Sequence, residues 1–284
     1  MPNLKDLRRR IRATKSMQQI FKAMEMVAAA KLRRAQQRAQ ASSPYAEKIT
    51  QMLATITAAA SELDHPLFKV REPKTTALLA ITADRGFAGA YNTNILRRVE
   101  ARVREAPPGS VKIVAVGRKG RDYLKRRGYA LLSAHTDLPG EASLELARTL
   151  TTELTARYLA GEVDRVEVVY SHFVNALTRR IRIEPLFPVS GPEGGAAQDR
   201  GTIFEPDAET LLAELLSRFA TARIYASLAD ALASEHSARM VAMGSARKNA
   251  GELVDSLTLT RNRLRQAAIT REIAELVGGA EALK

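Results

Sequence analysis

Residues 83–90 read Ala83-Asp84-Arg85-Gly86-Phe87-Ala88-Gly89-Ala90, an acid and a base followed by two glycines. They follow an apolar run, Thr76 to Ile81, and precede a helical pattern, where a dinucleotide-binding fold carries its phosphate loop. Backbone amides at such a helix start can meet an anion. The spacing is wrong for that role. Gly86 and Gly89 enclose only two residues, so this is no G-x-G-x-x-G, and no G-K-[ST] follows. A tight strand-to-helix turn is the favoured reading. The histidines, His65, His135, His172 and His236, are scattered, and none lies four residues from another. With no Cys in the chain, a thiol nucleophile, a redox pair, a disulfide framework and a Cys-ligated metal are excluded. Asp84 and Arg85 have no nucleophile in a readable pattern, and no Ser/His/Asp arrangement is legible. The residues predict no catalytic centre, no metal site and no cofactor.

The elements that must position this turn follow from punctuation. Twelve of the 16 Gly and nine of the 11 Pro fall between His65 and Asp207. Both residues are costly inside helices, so the chain reads as helix, compact middle, helix. This gives an N-terminal helix in 1–60, an α/β domain in 75–190, a flexible loop in 191–207 and a C-terminal helix in 208–284. Asn3 is the expected first cap, with Asp6 three residues on as in a capping box. Leu4, Leu7, Ile11, Met17, Ile20, Met24, Val27 and Leu32 recur at spacings mostly of three and four, one helix face. Pro44 is expected to kink or restart this helix. After Asp207, a candidate N-cap, a second stripe runs from Leu212 through Phe219, Ala226, Ala233, Met243, Val254 and Leu264 to Ile273. Its Ala content and near-3.5 period predict a closely packed coiled coil. Gly244 and Gly251, seven apart, predict close approach of another helix there.

In the middle, strands are expected at Thr76–Ile81, Val111–Val116, 165–170 and 179–184, with helices over 94–104 and 142–159. Alternating strands and helices argue for a small, mostly parallel, Rossmann-like α/β domain. No internal repeat of the solenoid kind is present.

The 284-residue chain carries 44 Lys+Arg against 31 Asp+Glu. Residues 1–60 hold 12 basic and three acidic residues, a net +9, whereas 208–284 hold ten and nine, a net +1. A basic helix can be a solvated face, a nucleic-acid stripe or a surface for an acidic protein. Only Phe21 and Tyr45 could stack on bases there. A basic coiled-coil nucleic-acid-binding protein stays open as the alternative, and a Rossmann-type nucleotide enzyme stands third. The start, MPNLKDLRRR, lacks the apolar run of a secretory signal.

Four stretches carry a resemblance. Residues 20–32, IFKAMEMVAAAKL, and 269–280, ITREIAELVGGA, resemble the terminal signatures of the γ subunit of F-type ATP synthases, bacterial type. SARMVAM at 237–243 and NRLRQA at 262–267 are similar to the same family, in the same order. The resemblance implies an antiparallel two-helix coiled coil with an α/β domain at its base. It implies a noncatalytic rotor shaft, one copy per complex, in the α3β3 hexamer of a proton-translocating synthase, with ε and the membrane c-ring as partners and no nucleic acid. It places the chain peripherally on the cytoplasmic face of the bacterial plasma membrane. By position, Arg265 and Gln266 resemble the pair that meets the acidic catch loop of a β subunit. Met24, Arg239, Thr270 and Glu272 resemble a cluster where both helices and that loop meet; for Met24, simple core packing is an equal alternative. The chloroplast form carries a regulatory cysteine insert; residues 190–201 have no Cys, which excludes thiol control.

Overall fold

Both terminal segments form single long helices, in spite of Pro44 in the first and Gly244 and Gly251 in the second. The computed structural model describes residues 3–59, 65–189 and 208–281. Helix α1 spans Leu4–Ala59 and α5 spans Ala208–Glu281. Asn3 caps α1 by accepting the Lys5 N–H at 3.1 Å, while Asp6 pairs with Arg9. The helix runs on through Pro44, so the expected restart does not occur. Pro44 is exposed, and the carbonyl it leaves unpaired can turn to water. The candidate cap Asp207 and the loop at 191–207 lie outside the described residues.

Between the helices come β1 (Thr76–Ile81), α2 (Tyr91–Glu105), β2 (Val111–Val116), α3 (Arg118–Arg126), β3 (Leu131–His135), α4 (Leu144–Leu159), β4 (Arg165–Phe173) and β5 (Arg179–Phe187). The sheet order is β3-β2-β1-β4-β5, parallel except for β5, which pairs antiparallel with β4. Strand β3 was not legible. It has five residues, two of them Ser133 and His135, and its apolar signal is too short to stand out.

The chain forms two compact units, residues 29–239 and residues 1–28 with 240–284. In the first, α2 and α3 cover one sheet face through Ile95, Val99 and Leu124. The other face packs on α4, on Leu53 and Ile56 of α1, and on Leu212, Leu216, Ala220 and Ile224 of α5. All six residues of β1 are buried, as expected of a central parallel strand. Arg102 makes a two-pronged bond to Glu167, Nε to Oε2 at 2.7 Å and a terminal nitrogen to Oε1 at 3.0 Å. That bond raises the Arg102 pKa.

In the second unit the helices run antiparallel, since Gln18 meets Gly251 and Glu25 meets Gly244. The buried or half-buried seam of α1 is Leu7, Ile11, Thr14, Gln18, Phe21, Glu25 and Ala28, alternating steps of four and three as a coiled coil requires. This corrects the expected stripe. Met17, Ile20 and Val27 are 46%, 55% and 56% exposed and form a second apolar line beside the seam. On α5, Met243, Ala250 and Val254 are buried, but Ile273 is exposed. The glycines do face a closely approaching helix, α1. A Cβ at Gly244 would meet the Glu25 carboxylate at 3.2 Å, and one at Gly251 the Gln18 amide nitrogen at 2.9 Å. They make room for polar side chains, not for the neighbouring backbone.

Replacing Glu167 by Ala strands the Arg102 charge at a site where its side chain is 18% exposed. The expected loss of stability is on the order of 2–3 kcal/mol, read from urea unfolding of the full chain. Replacing both residues by apolar ones of similar size should cost less.

Candidate functional site

The turn at residues 83–90 ends β1, and its groups are spent on the fold. Thr82 Oγ1 donates to the Val116 carbonyl at 2.7 Å and accepts the Gly120 N–H at 3.0 Å. The Lys119 N–H reaches the Ala83 carbonyl at 3.0 Å, and the Arg118 N–H reaches Asp84 Oδ1 at 2.7 Å. The first three amides of α3 are thus taken by residues 82–84. Asp84 Oδ2 accepts the Leu138 N–H at 2.5 Å, tying down the β3–α4 connection as well. Gly117 must be Gly, because it has φ +94° and a Cβ there would lie 2.3 Å from the Thr82 carbonyl oxygen.

Helix α5 then covers the carboxyl ends of the strands, where open α/β sheets bind ligands. Asp230 accepts the Phe173 N–H at 2.7 Å and meets His172 Nδ1 at 2.5 Å. The Tyr91 hydroxyl donates to the Ala231 carbonyl at 3.0 Å. Ser237 Oγ donates to the Ala176 carbonyl at 2.7 Å and accepts from Arg179 at 3.1 Å. Arg239 donates to the Gly86 carbonyl at 3.2 Å and pairs with Glu235 at 2.5 Å. A cavity of about 510 Å³ remains beside this contact, bordered by Lys31, Arg85, Glu235, His236 and Arg239. Burial pushes the Tyr91 hydroxyl well above its usual range and raises the Glu235 pKa. Burial also lowers His236 to about 4, helped by the charges of Arg239 and Lys31. Among the described residues no group of His, Asp and Glu could hold a metal, and no helix is long and apolar enough to cross a membrane.

The sequence pattern of the ATP synthase family matches residues 3–283. The ATP synthase gamma chain of Pelotomaculum thermopropionicum is 45% identical, and that of Desulforamulus reducens 48%, each over the whole of both chains. The chain belongs to the ATP synthase gamma-chain family. Gamma chains are noncatalytic subunits of the enzyme complex. Among solved structures, a chain in the Euglena gracilis mitochondrial ATP synthase (OSCP/F1/c-ring, rotational state 3) shares the fold with a TM-score of 0.74 at 20% identity. That match covers 99% of this chain and 94% of the other. The Tetrahymena thermophila central stalk/c-ring structure gives a TM-score of 0.63 at 24% identity, covering 80% and 99%.

The residues singled out by resemblance fall into both units. Met24 is half-buried in the unit of residues 1–28 and 240–284. Arg265, Gln266, Thr270 and Glu272 belong to the same unit and are exposed, with Thr270 Oγ1 donating to the Gln266 carbonyl at 2.9 Å. Arg239 belongs to the other unit. Its side chain is 13% exposed, and Gly86, Glu235 and His236 share its donors. The docking residues Asp230, His172, Tyr91 and Ser237 escaped the sequence reading. Only Ser237 had a local signal, the polar run Ser234-Glu235-His236-Ser237 inside an Ala-rich helix.

His236 is 4% exposed, and its folded pKa lies below the unfolded value of about 6.5. Below pH 6.5 the unfolded chain binds the extra proton, so stability falls from there towards about pH 4. Glu235, shifted upward, acts in the opposite sense. The His236→Gln variant should therefore lose less stability than the parent between those pH values, measured by denaturant titration at each pH.

Proposed function

We propose that this chain is the central shaft of a rotary ATP synthase, turning as one copy inside a hexamer of three α and three β subunits. Its α/β unit would meet ε and the membrane c-ring, on the cytoplasmic face of a bacterial plasma membrane. Ion flow through the ring turns the shaft. Its asymmetry contacts the three β subunits differently, and differential contact biases each nucleotide site towards a different state. The shaft itself needs no reacting group.

The observation that carries this reading is the antiparallel pair of helices with one end left single. The register that sets Gln18 on Gly251 (18 + 251 = 269) puts Leu4, the first residue of α1, opposite position 265, while α5 continues to Glu281. Beyond that point Ile269, Ile273, Leu276 and Val277 are exposed, an apolar tip that an enclosing ring would cover. Arg265 and Gln266 stand where α1 ends. There the planar guanidinium of Arg265, which is exposed, would fork onto a carboxylate of an acidic β loop. Thr270 and Glu272 lie on the single helix just past it. Arg239, held by the sheet end, would fix the base of α5 rather than reach a partner.

Two substitutions test the proposal in the assembled enzyme in membrane vesicles. Arg265→Ala should weaken coupling or assembly and leave the chemistry at the β sites intact; normal torque with normal complex stability would remove these contacts from the mechanism. Met24→Lys places a flexible cation beside the seam, where it can pair with the acidic loop at some rotor angles and not at others. Breaking such a pair at each step should reduce protons pumped per ATP hydrolysed about twofold, more at high temperature. An unchanged ratio would leave Met24 as core filler.

A further inference from the structure

The coil of residues 1–28 and 240–284 carries two long polar side chains at its seam, one heptad apart, each facing a glycine. At seam position 25, the Glu25 carboxylate lies against Gly244 and accepts Arg247 Nε at 2.9 Å. At seam position 18, the Gln18 amide lies against Gly251. Both layers give the same register, since 25 + 244 and 18 + 251 are each 269. We infer that Glu25 is a positioning residue that locks the axial register of the two shaft helices, with Gln18 on Gly251 as a second tooth, so that torque turns them as one body. This rests on the rotor reading above.

The remaining seam shows why a lock is needed. Leu7, Ile11, Ala28, Met243, Ala250 and Val254 supply its buried apolar contact, and such contact is nondirectional. A polar group at a seam position, by contrast, specifies register. A slip of one turn brings Arg247 or Lys248 to the place of Gly244, and their Cβ atoms take the space of the carboxylate. A slip of one heptad in the same sense sets Glu25 over Gly251, about 10 Å along the helix from its former place, but moves Gln18 from Gly251 onto Thr258 (18 + 258 = 25 + 251), whose side chain fills the space of the amide. Only the native register seats both Glu25 and Gln18 over a glycine. Glu25 and Arg247 are partly exposed, 29% and 45% for their side chains, so screening keeps the lock modest and reversible.

Because the chain has no cysteine, introduced pairs report register without background. Ile11→Cys with Thr258→Cys marks the native register (11 + 258 = 269), and Ile11→Cys with Arg261→Cys marks a slip of three residues. Both pairs are read by mild oxidation in the complete α3β3γ complex during ATP hydrolysis. With Glu25 present, the native pair should link and the slipped pair should not. Glu25→Ala should raise the slipped link about fivefold, the effect of about 1 kcal/mol of lost register preference. Glu25→Gln, which keeps the shape and a hydrogen bond to Arg247, should stay near the parent. Glu25→Arg with Arg247→Glu should return the native pattern. The same distribution of links in Glu25→Ala as in the parent overturns the lock and leaves the rotor reading standing. A parent chain that does not assemble with α and β subunits overturns the rotor reading, and the lock as a torque device with it.

Discussion

A carboxylate removed from water at the end of a parallel sheet must find donors, and Asp230 of α5 finds the Phe173 amide and His172 at the end of β4. That contact fixes where α5 crosses the sheet. Ser237 and Arg239 then donate to the Ala176 and Gly86 carbonyls of the loops beyond the strand ends, and Tyr91 donates to the Ala231 carbonyl of α5. Each bond contributes modestly on its own, because water could have made it too. Their joint effect is directional, which apolar burial against Leu216, Ala220 and Ile224 cannot be.

The same helix decides what this α/β unit does not do. Strand order β3-β2-β1-β4 is the layout in which dinucleotide folds open a crevice between β1 and β4. Here α5 lies along that crevice, and Tyr91, the first residue of α2, is bonded to its Ala231 carbonyl. A nucleotide-binding frame is thereby turned into a clamp on a long helix. A subunit that passes on mechanical work gains from this, since a ligand-dependent crevice would make the hold on the helix depend on ligand.

Stiffness and smoothness are divided between the units. The α/β unit holds α5 by many polar bonds and two apolar layers. The coil is thin, and its surface carries an apolar line at Met17, Ile20 and Val27 that makes no directional bond to a surrounding partner. A shaft that must turn among neighbours is served by apolar contact outside and by specific contact within.

The helices, the α/β middle and the absence of a reacting constellation were all legible in the sequence, because helix periodicity and Gly/Pro placement are local properties. So was the family, through residues 20–32 and 269–280. Strand β3 was not, since five residues with Ser and His carry little local signal. Nor could periodicity tell the seam of α1 from its outer line. Met17 and Ile20 are as apolar as Leu7 and Ile11, and a period of 3.5 against 3.6 only separates them once the partner helix is in place. The glycines showed the same limit. A missing side chain at 244 and 251 announces a close neighbour, but only the tertiary structure decides whether that neighbour is backbone or the tips of Glu25 and Gln18. Asp230 was likewise one acid on a long helix until the sheet supplied its donors. Local chemistry determines which elements form, and the meeting of residues far apart in the chain determines which of their faces is spent on the fold and which is left for partners.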